Sequence, residues 1–100
     1  MHTVILNVTC KPGTRNAFVA TLSALLVDTR TFSGCKLAEL YCDQDNADKV
    51  MVWEKWESRA DHEAYVAWRV ETGVLAAAAE ALAAAPEFLH YDAQAPTVSA

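Results

Sequence analysis

One hundred residues are enough to bury one core and too few for two, and 19 of them are alanine, so large core side chains are scarce and burial through self-association is favoured. The net charge is −5, and the eight lysines and arginines are scattered, which excludes nucleic acid and anionic membrane surfaces as expected partners. No apolar run approaches the ~20 residues that span a bilayer.

Met1-His2-Thr3 leads directly into a strand pattern, without a basic start and an apolar stretch, so no leader is expected. From His2 to Cys10, Val4, Leu6, Val8 and Cys10 alternate with Thr3, Ile5, Asn7 and Thr9, the period of a strand. The first set suits packing under helices, and the second suits a polar-lined cavity or a solvated sheet. Lys11-Pro12-Gly13 reads as a turn, and Thr14 is placed to cap the helix that follows. Phe18, Leu22, Leu25, Leu26 and Thr29 then recur at helical spacing to about Arg30, and Gly34 breaks the pattern.

Cys35 to Asp43 is a second strand, with Cys35, Leu37, Glu39 and Tyr41 on one side and Lys36, Ala38, Leu40 and Cys42 on the other. The acidic link from Asp43 to Asp48 lacks the glycine and terminal glutamate of a calcium loop and reads as a hairpin connection. Lys49 to Glu57 is a third strand. Ser58 and Asp61 form a capping-box-like pair for a helix to about Thr72. Gly73 interrupts it, and Val74 to Ala85 is expected to be helical because alanine is the best helix former. Pro86 stops that helix, and Glu87 to Asp92 is a last strand with Phe88 and His90 on one side. Residues 1–92 therefore read as one domain and 93–100 as a tail or arm.

The order β-α-β-β-α-(α)-β is the ferredoxin-like split β-α-β arrangement, an α+β fold with a four-stranded antiparallel sheet and helices on one face. Its uncovered face calls for a second copy, so a homodimer is expected. Cys10, Cys35 and Cys42 are odd in number and form no CxxC pair, which fits reduced thiols in a cytoplasmic setting. The three histidines, His2, His62 and His90, have no metal-ligand spacing, and no Gly-rich phosphate loop, GxSxG elbow or HExxH is present, so no metal site is expected.

The richest stretch is Trp53-Glu54-Lys55-Trp56-Glu57-Ser58. Tryptophan brings an N–H that needs a partner, and glutamate brings a charge that needs neutralising, so both are costly to bury in a strand. Such residues suit core packing and also the wall of a pocket for a flat aromatic ligand. Ser33-Gly34-Cys35, Tyr41 and this stretch together resemble the GC…Y…E-x-W-x-S pattern of the antibiotic biosynthesis monooxygenase family, over about residues 2–92. That resemblance implies a dimeric α+β barrel. It further implies oxidation of an aromatic quinol, naphthol or anthrone-type substrate by O₂, with no cofactor. The protein's part would be to exclude water, position the ring and stabilise an oxyanion.

Under that resemblance Asn7, Glu54, Trp56 and Trp68 are the candidate catalytic residues. Asn7 offers an amide in mid-strand, where asparagine is unfavourable without a reason. Glu54 is a candidate base, and Trp56 a stacking wall or N–H donor. Tyr65 and Trp68 would project from the helix toward the cavity. Tyr65, His62, His90 and Phe88 are the candidate substrate-binding residues. One departure is clear: many members carry Ala-His in this helix, and here the dipeptide is Ala67-Trp68, with His62 nearer the helix start. Heme-degrading relatives of this fold also need a later histidine, and that region is Ala76-Ala77-Ala78-Ala79. Two other readings stand beside the oxygenase: an isomerase or cyclase on the same scaffold, and a non-catalytic small-molecule-binding or stress-response barrel.

Overall fold

Alternating side chains set the two faces of the sheet. In the computed structural model, which describes residues 1–94, Val4 and Val8 of strand β1 (His2–Thr9) are buried, while Thr3, Ile5, Asn7 and Thr9 between them are half-exposed. Helix α1 (Arg15–Thr31) follows, then strands β2 (Cys35–Cys42) and β3 (Lys49–Trp56), helices α2 (Arg59–Glu71) and α3 (Val74–Ala79), and strand β4 (Glu87–Asp92). The strands lie in the order β2-β3-β1-β4, each antiparallel to its neighbour. This is the expected split β-α-β sheet.

Register places Val4 opposite Glu54, Leu6 opposite Val52 and Val8 opposite Val50. Across the other edge of β1, Leu6 faces Phe88 and Val4 faces His90. These residues share the helix-covered face. Phe18, Leu26 and Thr29 are the buried positions of α1; Phe18 packs with Val8, Cys10 and Val50, and Leu26 with Ala38 and Val52. Fully burying an aliphatic or Phe side chain contributes about 1.5–3 kcal/mol, so these few large residues carry much of the core.

Three local expectations change. Thr14 stands at the N-cap of α1, but its hydroxyl donates to the Lys11 carbonyl (2.7 Å) and makes no cap bond to the helix. A bulge at Lys36 puts Cys35 opposite Trp56, so Cys35 joins the helix-side core rather than the face of Leu37. The helix expected to Ala85 ends at Ala79, and Leu82 instead forms a bridge with Cys10 while Ala83 N–H donates to the Thr9 carbonyl (2.9 Å). A run of small side chains gives that segment little to pack on, and backbone pairing with the end of β1 wins over intrinsic helix propensity. Of the expected tail, residues 95–100 lie outside the described residues.

The start of α2 is well anchored. Asp61 N–H donates to Ser58 Oγ (3.2 Å), and the Ser58 hydroxyl donates to Asp61 Oδ2 (3.0 Å). Gly34 packs directly on this cap. Its φ is +88°, and a Cβ there would come within 2.5 Å of the Asp61 carboxyl carbon. Glycine is needed for the backbone angle and for the approach alike.

Candidate active site

The pleat of β3 turns Glu54 and Trp56 toward the helices, where they are 3% and 0% exposed. A carboxyl buried so deeply must be neutralised or bonded. Glu54 has one hydrogen bond, Trp56 Nε1–H donating to Oε1 at 2.8 Å. Burial pushes its pKa from the usual 4.5 up to about 7, against the smaller opposing effect of that indole N–H. The indole is thus partnered by the very carboxyl it holds in place.

Helix α2 brings His62, Tyr65 and Arg69 to the same side, a spacing that lines up one helical face. His62 is 2% exposed, and its Nε2 lies 3.8 Å from Glu54 Oε1. Among the described residues neither ring nitrogen has a hydrogen-bond partner. Burial, then the neighbouring His90, His2 and Arg59, lower its basicity from 6.5 to about 4. At neutral pH the ring is therefore uncharged, and Glu54 is poised between its two forms.

Arg69 is 3% exposed but well served. Nε donates to the Tyr65 hydroxyl oxygen (2.9 Å), and Nη2 to the Leu25 carbonyl (2.8 Å) and Thr29 Oγ1 (3.3 Å). The Tyr65 and Thr29 hydroxyls are 2.6 Å apart, and Thr29 Oγ1 donates to the Leu25 carbonyl (3.2 Å). All three donors are consistent if Tyr65 donates to Thr29. The Trp68 ring lies over the guanidinium at 4.6 Å, a cation–π contact. Among the described residues no carboxylate lies within 4 Å of Arg69, and no protein group accepts from Nη1.

Glu54, Tyr65 and Arg69 line one cavity between the sheet and the helices, with Phe88, Val66 and the apolar side chains of α1 and α3 around them. Its volume is about 70 Å³. A small, flat, mostly apolar molecule suits this space. On the outside of Val66 and Phe88 a second cleft opens between α2 and β4, lined also by His62, Glu63, Ala67 and His90.

The expected residues divide around this geometry. Glu54, Trp56, His62, Tyr65 and Phe88 come together on the helix side. Trp56 and Tyr65 ring centroids are 5.1 Å apart, and those of His62 and Phe88 5.6 Å. His90 lies in the outer cleft beside His2, with His2 Nε2 and His90 Nδ1 2.8 Å apart. Trp68, expected to face the cavity, does not line it; it stacks on Phe32 and Arg69, where a half-buried indole on α2 finds apolar partners. Asn7 is also separated from the others. It pairs with Met51 and Glu87 on the open face, and the sheet stands between it and the cavity, because strand alternation sends neighbours of Leu6 and Val8 the other way.

Arg69 and Thr29 were missed from sequence. The available signal was Arg69 four residues after Tyr65, on the face already marked by His62 and Tyr65. Among the described residues no group of three His, Cys, Asp or Glu is placed to hold a metal ion.

Residues 1–68 match the family model described as antibiotic biosynthesis monooxygenase. The fold is similar to the crystal structure of an antibiotic biosynthesis monooxygenase, at 21% identity, TM-score 0.82, covering 94% of this chain and 99% of that one. It is also similar to a conserved protein from Methanosarcina mazei Go1 (18% identity, TM-score 0.80, 90% and 89% covered). A third similar structure is PA3566 from Pseudomonas aeruginosa (24% identity, TM-score 0.76, 94% of each chain). At these identities the likeness is one of fold. No curated protein matches the chain.

Proposed function

The chain belongs to the antibiotic biosynthesis monooxygenase family, and we propose that it is a cofactor-independent monooxygenase acting on an aromatic quinol, naphthol or anthrone-type small molecule. The observation that carries this reading is the buried Glu54 carboxyl, held near neutrality on the wall of an apolar cavity that it shares with Arg69. A base whose acidity matches the working pH is suited to removing a weakly acidic proton.

In this reading Glu54 takes a proton from the substrate, and Trp56 fixes which carboxyl oxygen faces the cavity. The developing oxyanion accepts from the Nη1 donors of Arg69, a preorganised cation in a site of low polarity. Tyr65 and Phe88 flank the ring. The electron-rich anion then reacts with O₂. A CH₂ group plus O₂ gives C=O plus water, so the electrons balance without an external reductant. Trp68 positions Arg69 from behind, and Asn7 belongs to the face on which a second copy would pack. That face carries Ile5, Met51, Trp53 and Leu89, all half-exposed, and a homodimer covering them is part of this proposal. Among the described residues no helix is long and apolar enough to cross a membrane.

The same acid–base pair would serve an isomerase, since proton abstraction is its first step too. Oxygen uptake separates the two. Purified, chelator-treated protein is incubated with hydroquinones, naphthols and anthrones against autoxidation blanks and the Glu54→Gln variant. Uptake above blank that falls in the variant supports the oxygenase. Substrate turnover that is equal with and without O₂ supports the isomerase and overturns the oxygenase.

A further inference from the structure

A base that takes a proton must also release it. The cavity before Glu54 offers poor means of doing so, because its walls are chiefly apolar side chains. The Trp56 indole, its one hydrogen-bond partner, is a donor only and cannot accept. Behind the carboxyl stands His62, with both ring nitrogens unpartnered and an Nε2–Oε1 separation of 3.8 Å. An unsatisfied imidazole in a core is costly and calls for an explanation. A small side-chain adjustment closes such a gap, and catalytic hydrogen bonds are commonly long before substrate is bound.

The path continues outward. His62 and His90 ring centroids are 5.4 Å apart, and His90 in turn meets His2 through the 2.8 Å nitrogen contact. His62 and His90 both line the outer cleft, which lies on the far side of Val66 and Phe88 from the apolar cavity. The structure thus has two compartments, one on each side of the Glu54–His62 pair. One is lined chiefly by apolar side chains and suited to a ring; the other opens to solvent and carries imidazoles.

We propose that His62 is the proton exit of Glu54, passing the proton through His90 to the outer cleft so that the inner cavity stays closed to water. This rests on reading Glu54 as the base. The step balances simply. The carboxyl turns to bring its protonated oxygen to His62, and the Glu54 O–H breaks as an N–H forms at His62 Nε2 of the Nδ1–H tautomer, giving carboxylate and imidazolium. Nδ1 then releases its proton to His90, directly or through one bridging water, and His90 passes it to solvent in the cleft; the neutral Nε2–H imidazole returns to the Nδ1–H tautomer by proton exchange with the cleft before the next transfer. The charged groups facing His62 are Glu54 of β3, His90 of β4, His2 of β1 and Arg59 of α2, with Glu63 of α2 lining the cleft. Its low basicity makes His62 a carrier and not a store.

The test needs no substrate, so it stands apart from the oxygen-uptake experiment. The infrared carbonyl band of protonated Glu54 is identified by its loss in Glu54→Gln, and its relaxation after a rapid pH jump across neutrality is timed. In His62→Ala the relaxation is expected to slow at least tenfold, and added imidazole, entering the vacated space by the outer cleft, is expected to restore at least half of the rate. His90→Phe, at a half-buried position on the edge strand, is expected to slow it at least threefold and serves if His62→Ala does not fold. Equal rates in wild type and the folded variant overturn the proposal. So does a slowed rate that imidazole leaves unchanged, or the absence of any Glu54 carbonyl band near neutral pH.

Discussion

The two ends of α2's inner face treat buried charge in opposite ways. At Arg69 the guanidinium has four partners, Tyr65, Leu25, Thr29 and the Trp68 ring, and among the described residues no carboxylate lies nearby. At His62 and Glu54 there is a single indole hydrogen bond between two ionisable groups, and burial pushes both toward neutrality. Hydrogen-bond supply, not depth, separates the two ends: all three residues are at most 3% exposed. The well-supplied end fixes a positive potential. The poorly supplied end is where a proton is free to move.

The contrast is broken most sharply by removing the mobile end. Glu54→Gln keeps the volume and loses the proposed base, and turnover is expected to fall by roughly a thousandfold, with substrate binding measured by fluorescence little changed. Next comes the fixed end. Arg69→Met leaves Tyr65, Thr29 and the Leu25 carbonyl short of a donor, and should cost about 3 kcal/mol in denaturant unfolding. A loss below about 1 kcal/mol would mean that those groups are readily resupplied, and that the end is not fixed.

The pH dependence of stability sharpens the comparison further. Glu54 is raised in the folded state, so its contribution is fully present below pH 4.5 and is lost as pH rises to about 7. His62 is lowered, so the unfolded chain binds its proton first and stability falls as pH drops from 6.5 to about 4. The two slopes oppose each other in the wild type. In His62→Gln stability should fall with rising pH, and in Glu54→Gln it should rise, each by roughly 3 kcal/mol across its window. Thermal or denaturant melts at several pH values read this directly, and parallel curves for the two variants would refute the assignment. The smallest effect is expected outside this face. Asn7→Ala should change monomer stability by less than about 1 kcal/mol and leave the Glu54 carbonyl band unmoved; a shift of that band would mean that the sheet does not insulate the two faces.

Much of this was legible from the residues. Alternation in β1 put Val4, Leu6, Val8 and Cys10 on one face suited to packing under helices, because a strand has only two; that Glu54 and Trp56 share it came from the register. The capping pair Ser58–Asp61 marked where α2 begins. What was not legible depends on contacts between segments. A bulge at Lys36 moves Cys35 to the other face, and no local pattern announces an extra residue. The alanine run gives up its helix after Ala79 because Leu82 pairs with Cys10, a partner 72 positions away. Trp68 looked like a cavity residue by type, yet its ring is claimed by Arg69. Asn7 was grouped with the aromatic residues by chemistry, although the alternation that placed Leu6 inside had already placed it outside.

Gly34 has a reach that its missing side chain conceals. It lets the β2 end of the chain touch the first turn of α2 at Asp61, one position before His62. A methyl group there would act as a wedge, tilting the helix away from the sheet at its base. Because His62, Tyr65 and Arg69 ride on that helix as on a lever, one atom at the fulcrum would widen the cavity and lengthen the gap to Glu54 together. Cavity size and proton affinity are thus geared to each other through this contact, and a variant lineage seeking a larger substrate by this route would alter its working pH in the same step.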